Sequence, residues 1–103
     1  MSAAKVDFFP EALLEIDDAF EWYLERSVQA AEAFDAEIDG ALALIASSPR
    51  LSPLFEAGTR RYVLPKFSYD LIYHEVEAGI EVVAVAHQKR RPRYWRSRLT
   101  RKS

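Results

Sequence analysis

The residues of this chain that could do chemistry are gathered near its end, in the run His87-Gln88-Lys89-Arg90-Arg91-Pro92-Arg93-Tyr94-Trp95-Arg96-Ser97-Arg98. Arginine offers planar, two-point contacts to phosphate or carboxylate. An aromatic ring beside it can stack on a base or cover apolar surface. Arg60 and Arg61, with Lys66 a few residues on, make a second basic group. If the two groups meet in space, they form one positive patch with Tyr94 and Trp95 inside it. The plainer alternative is a solvated tail that pairs with acids elsewhere. Trp95 argues against a wholly solvated tail, because so large an apolar ring usually docks.

The charge is divided along the chain. Residues 1–58 hold 12 acidic and 3 basic side chains, and residues 59–103 hold 4 acidic and 11 basic, which leaves a net −2 made of −9 and +7. Such asymmetry points to an acidic or phosphate-bearing partner for the basic half, or to two halves that neutralise each other across the surface. The tight clustering of the cations at one end favours the partner.

Other chemistries are poorly served. Cysteine is absent, so there is no disulfide framework and no thiolate. His74 and His87 lie on separate predicted strands without a paired-His spacing, so no metal is expected. Three scattered glycines make no phosphate loop, and no cofactor is implied. No serine sits in a nucleophile-elbow context. Glu15, Asp18, Glu21 and Glu25 recur as the solvated side of a helix rather than as acid–base pairs.

These residues need a scaffold. A chain of 103 residues that is half hydrophobic predicts one globular domain, 1–103, with a modest core. There is no signal-peptide core at the N-terminus and no apolar run of membrane-spanning length, so the expected location is the cytoplasm. Ala4–Phe9 alternates like a short strand. Pro10 suits the first turn of a helix, and Glu11 favours the positive end of its dipole. From Glu11 to about Arg26 the residues Leu13, Ile16, Phe20 and Tyr23 mark an apolar stripe, with Ala12 and Ala19 beside it and Trp22 widening it. Ser27 can cap a second helix that runs to about Ala46, with Ala31, Phe34, Ile38, Ala41, Leu42 and Ile45 inward. Gly40 inside that helix suggests close approach of another backbone. The two helices should form an antiparallel hairpin. Ser47-Ser48-Pro49 ends the second helix, and a loop follows. Strands are then expected at 61–64, 69–76 and 80–87, with Ala78-Gly79 turning the last hairpin. Residues 93–99 suit a short helix or a docked tail. The order β-α-α-β-β-β is α+β, a helix hairpin on one face of a mostly antiparallel sheet.

In this order the chain resembles the RelE/ParE superfamily of toxins from bacterial type II toxin–antitoxin modules. The resemblance is carried by Phe20-Glu21-Trp22-Tyr23 with Arg26-Ser27, Ala33-Phe34, Ile45 to Pro49 and Gly58-Thr59-Arg60-Arg61. It continues through Phe67 to Tyr73, Ala84-Val85-Ala86-His87, Arg90-Arg91-Pro92 and Tyr94-Trp95. It spans nearly the whole chain, and it implies the same β-α-α-β-β-β fold.

The resemblance implies a toxin silenced by a cognate antitoxin, with a toxin–antitoxin hetero-oligomer as the expected assembly. ParE-like members, and the plasmid-stabilisation proteins grouped with them, poison DNA gyrase without cleaving anything. RelE-like members cleave messenger RNA on the ribosome. Such cleavage needs a base for the 2′-hydroxyl, cations for the charged phosphorane and an acid for the leaving oxygen. The positions here that could correspond are Arg61, His87, Arg91 and Tyr94. Leu64 and Pro65 stand where the ribonucleases often place lysines, and the Arg-Pro-x-Tyr-Trp ending is more like the ParE group. Gyrase poisoning is therefore the leading expectation, with an mRNA interferase, or an inactive binding module on the same scaffold, as alternatives. The target-binding set implied is Arg60, Arg61, Lys89, Arg90, Arg91, Arg93, Tyr94, Trp95 and Arg98. Trp22, Arg60 and Arg61 are expected to meet the antitoxin.

Overall fold

The computed structural model describes residues 3–101. Strand β1 spans Lys5–Phe8, helix α1 Pro10–Leu24 and helix α2 Val28–Ser47. After a loop come β2 (Arg60–Val63), β3 (Tyr69–Val76), β4 (Gly79–His87) and a short helix α3 (Arg96–Arg101). The sheet order is β1-β4-β3-β2. β1 is parallel to β4, and the other two pairings are antiparallel. The sheet is thus mixed, with the helix hairpin on one face, as the pattern implies.

Local rules place the helices. Pro10 opens α1 with Glu11 in its first turn. Ser27 caps α2, its hydroxyl accepting from Ala30 N at 3.2 Å. Phe34, Ile38 and Ile45 are buried in one cluster with Ile80, Val82 and Ala84, as their periodicity requires. On α1 the fully buried residues are the small ones, Ala12 and Ala19. Ile16, Phe20 and Tyr23 are half-buried, while Leu13 is exposed. A close helix–sheet approach takes alanine at the line of contact and pushes bulkier side chains to its flanks.

Two glycines behave differently from their sequence expectation. Apart from its own helix, no heavy atom of the described residues lies within 4 Å of where the Gly40 Cβ would be, so no neighbouring backbone requires it. Gly79 is required. Its φ is +149°, and a Cβ there would sit 2.3 Å from the Lys5 carbonyl oxygen. Val76 pairs with Gly79, so the turn is Glu77-Ala78 and Gly79 already belongs to β4.

One irregularity in the sheet prepares the site. The β3–β4 register shifts between Ile72 and Tyr73, leaving Val83 as an extra residue on β4. On the other side of β4, pairing with β1 ends at Phe8 and Val82, and Phe9 N donates to Val82 O. Pro10 then turns the chain into α1. Beyond Val82, no strand of the described residues covers that edge of β4.

Candidate functional site

The uncovered edge of β4 is closed by side chains. Val85 N donates to Glu15 Oε1 at 2.9 Å, and Val83 O accepts from the Arg98 guanidinium at 3.0 Å. The same guanidinium makes two bonds to the Glu15 carboxylate, at 2.9 and 3.1 Å. An ion pair thus stands where a neighbouring strand would. Tyr94 OH donates to Glu15 Oε2 at 2.6 Å, and Arg90 reaches the same oxygen at 3.3 Å. Both side chains of the Glu15–Arg98 pair are about nine-tenths buried. Such burial is tolerable because no buried side-chain nitrogen or oxygen among the described residues lacks a hydrogen-bond partner. Glu15 is therefore the hub of the tail and no part of a solvated helix face.

Two more carboxylates fix the tail. Glu56 pairs with Arg93 and Arg96, and Glu11 pairs with Arg101. The hydrogen bond from Arg93 holds the Glu56 carboxyl below its ordinary range, and the one from Arg101 does the same for Glu11. Arg93 itself has φ +65°, a left-handed conformation that costs an ordinary residue about 1 kcal/mol. Trp95 is 2% exposed and packs against Phe55 at 6.1 Å between ring centres.

This arrangement divides the basic strip. Arg90, Arg93, Arg96, Arg98 and Arg101 are each matched to an acid of the first half of the chain. Trp95 and Arg98, expected on a target-facing strip, are inside the fold. Lys89, Arg91 and Arg61 are exposed and are matched to none of these acids. Arg61 lies over the Phe55 ring at 4.6 Å and 4.0 Å from Asp70. It lines a cavity of about 160 Å³ together with His87, Arg91 and Tyr94, so the two basic groups do meet.

Arg60 does not join them. Adjacent strand residues point to opposite faces, and Arg60 turns to the 49–58 loop, donating to Arg50 O and Ser52 O at 3.2 and 2.7 Å. It braces that loop, along with Tyr73 OH on Pro49 O. Lys66 sits in the β2–β3 turn, where its backbone N–H is held by Glu37. Trp22 is half-exposed on α1, with the Arg26 guanidinium 3.6 Å from the centre of its ring.

The acid–base candidates are committed elsewhere. Burial, reinforced by the Glu15 carboxylate, pushes the Tyr94 hydroxyl well above its ordinary 10. Lys89 N donates to His87 Nδ1 at 3.1 Å. Accepting that bond leaves the proton of the neutral ring on Nε2, which is then a donor and not a base. No group of three acidic or histidine side chains among the described residues comes together as metal ligands would. Glu15 was missed in the sequence because helical spacing shows only that it opposes the apolar stripe. No local signal marks a tail that folds back over 80 residues later.

Residues 6–92 match the model of a family described as ParE toxin of type II toxin–antitoxin system, parDE. Residues 93–101, with most of the tail anchors, lie beyond the matched stretch. Among solved structures, a chain of the chromosomal ParDE TA system from P. aeruginosa superposes with a TM-score of 0.71. The match covers 82% of this chain and 96% of that one at 12% sequence identity, so the likeness is one of fold. No curated protein matches the sequence.

Proposed function

The chain belongs to the ParE toxin family of type II toxin–antitoxin systems, and from that membership we propose that it arrests growth by inhibiting DNA gyrase until a cognate antitoxin covers it. Its target surface is the outward trio Lys89, Arg91 and Arg61, rimmed by His87. These cations sit at the end of β4 and on the adjoining face of β2, held in place by the Glu15 and Glu56 anchors. The antitoxin meets the exposed apolar surface of the helix hairpin around Trp22. An acidic antitoxin segment would also be drawn to Lys89 and Arg91. No helix among the described residues is long and apolar enough to cross a membrane, and a gyrase target places the action in the cytoplasm.

The observation that favours poisoning over cleavage is the fate of Tyr94. Its hydroxyl is bound to Glu15 at 2.6 Å and held protonated by burial. Taken with the His87 tautomer, this leaves cations and no poised base for a 2′-hydroxyl. Cations without a base suit a binding poison. The test is direct. Cells expressing the chain alone should show DNA breaks and an SOS response, and purified gyrase should lose supercoiling activity. Codon-positioned cleavage of ribosome-bound message, with supercoiling untouched, would overturn the proposal in favour of an interferase. Unimpaired growth would leave a binding module.

A further inference from the structure

A second cavity, of about 540 Å³, opens beside the tail between α1 and the His87 end of the sheet. Trp22 and Tyr23 form one wall, and Tyr69 and His87 another. The walls brace each other: Trp22 meets Tyr23 edge-on at 5.1 Å, and Tyr69 meets His87 edge-on at 4.9 Å.

Two carboxylates reach this space, and they differ. Glu15 is saturated by Val85 N, Tyr94, Arg98 and Arg90. Asp18, one turn on, makes no hydrogen bond or ion pair with any described residue. The positive wall residue, Arg90, is turned onto Glu15 and lies 3.7 Å from the centre of the Tyr94 ring. Asp18 is exposed at the mouth of the cavity, with no cation of the described residues paired to it.

An unpaired carboxylate among aromatic faces is the chemistry that recognises a guanidinium. The ring attracts the cation face-on, and the carboxylate takes its N–H groups in pairs. Arg26 shows the first half of this on Trp22 within the chain itself. The surroundings indicate what carries the guest. Leu14 and Trp22, four residues either side of Asp18, are 60% and 50% exposed. Apolar, acidic and apolar residues thus follow one another along a single helix face. Their complement is a helix that presents apolar, basic and apolar side chains.

We propose that the cavity bounded by Asp18, Trp22 and Tyr69 seats an arginine presented on the apolar face of a helix of the protein partner, with Asp18 as its counter-ion. The proposal rests on the reading that this chain has an antitoxin. It assigns this point of the interface the charge opposite to that expected at Lys89 and Arg91.

The test uses Nα-acetyl-arginine methylamide and its neutral citrulline counterpart, titrated into the isotopically labelled full chain. The Trp22 indole N–H is the reporter, and the buried Trp95 indole is the internal reference. A saturable shift of Trp22 with Trp95 unmoved is expected. Citrulline and Asp18→Asn should each weaken binding about tenfold, the equivalent of one charge-assisted hydrogen bond. Asp17→Asn, exposed like Asp18 but outside the cavity lining, should change nothing. Equal binding of the two probes, unchanged affinity in Asp18→Asn, or no saturable shift overturns the proposal. Growth arrest by the parent chain is scored separately. Loss of arrest in the parent chain would go against the toxin reading alone, because the titration needs no antitoxin.

Discussion

Glu15 decides more of this structure than any other single residue. Five donors converge on its two oxygens: Val85 N, Tyr94 OH, two Arg98 nitrogens and Arg90. Removing it would leave a buried guanidinium, a phenol and a strand N–H without partners. Glu15→Ala should therefore cost about 3–5 kcal/mol, the range for breaking one side of a buried ion pair. Asp17→Ala, on the exposed side of the same helix, should stay within about 0.5 kcal/mol. Denaturant midpoints of the two variants measure the difference, and equal midpoints would show that the hub is replaceable. Arg61 and Arg91 test the opposite case. Neither is buried, and exposed ion pairs add little to stability. Arg61→Ala with Arg91→Ala should abolish growth arrest while leaving the thermal midpoint nearly unchanged. Retained arrest would move the target surface elsewhere.

At the scale of elements, the informative contrast is between what a segment does alone and what its neighbours impose. α2 is legible by itself, because a Ser cap and a three-to-four spacing are local features. α3 is not. Six residues cannot sustain an isolated helix, and this one persists because Trp95 just before it and Arg98 within it are buried. The two glycines make the same contrast testable. Gly40 lies in an open helix interior, so Gly40→Ala should stabilise the chain by about 0.5–1 kcal/mol. Gly79→Ala should destabilise it by more than that gain, since the new methyl meets the Lys5 carbonyl and φ is unfavourable. Thermal midpoints moving in opposite directions would confirm both. A stabilising Gly79→Ala would mean that β1 can move away from β4 at little cost.

Across the whole molecule, three acids of the first half, Glu11, Glu15 and Glu56, hold five arginines of the basic tail, of which Arg98 alone is buried. This makes tail docking sensitive to acid. Glu11 and Glu56 titrate below their ordinary 4.5 in the folded chain. Their contribution is thus complete above that value and is lost as pH falls through the lower, folded one. Tyr94 works at the other limit, since its raised value means stability present below 10 and lost as pH rises beyond it. In a Trp22→Phe background Trp95 is the sole tryptophan. Its emission should shift to the red below about pH 4.5, before helical circular dichroism is lost. Coincident transitions would show that the tail and the domain unfold as one unit.

The sequence by itself determined the element order, the inward face of α2, the strand β3 to the residue, and the family resemblance that the match over residues 6–92 bears out. Each of these rests on spacing within a few residues or on residue order along the chain. The tertiary structure alone decided which cations face outward. Arg60 and Arg61 are neighbours in sequence, yet strand geometry sends one to a loop and the other to the site. Arg91 and Arg98 look alike in composition, yet one is exposed and the other closes a sheet edge. The end of β1 at Phe8 opened that edge, and a residue 70 positions away, Glu15, satisfies Val85 N there. Pairings over such separations obey the need to satisfy buried polar groups, and that need arises only once the sheet exists.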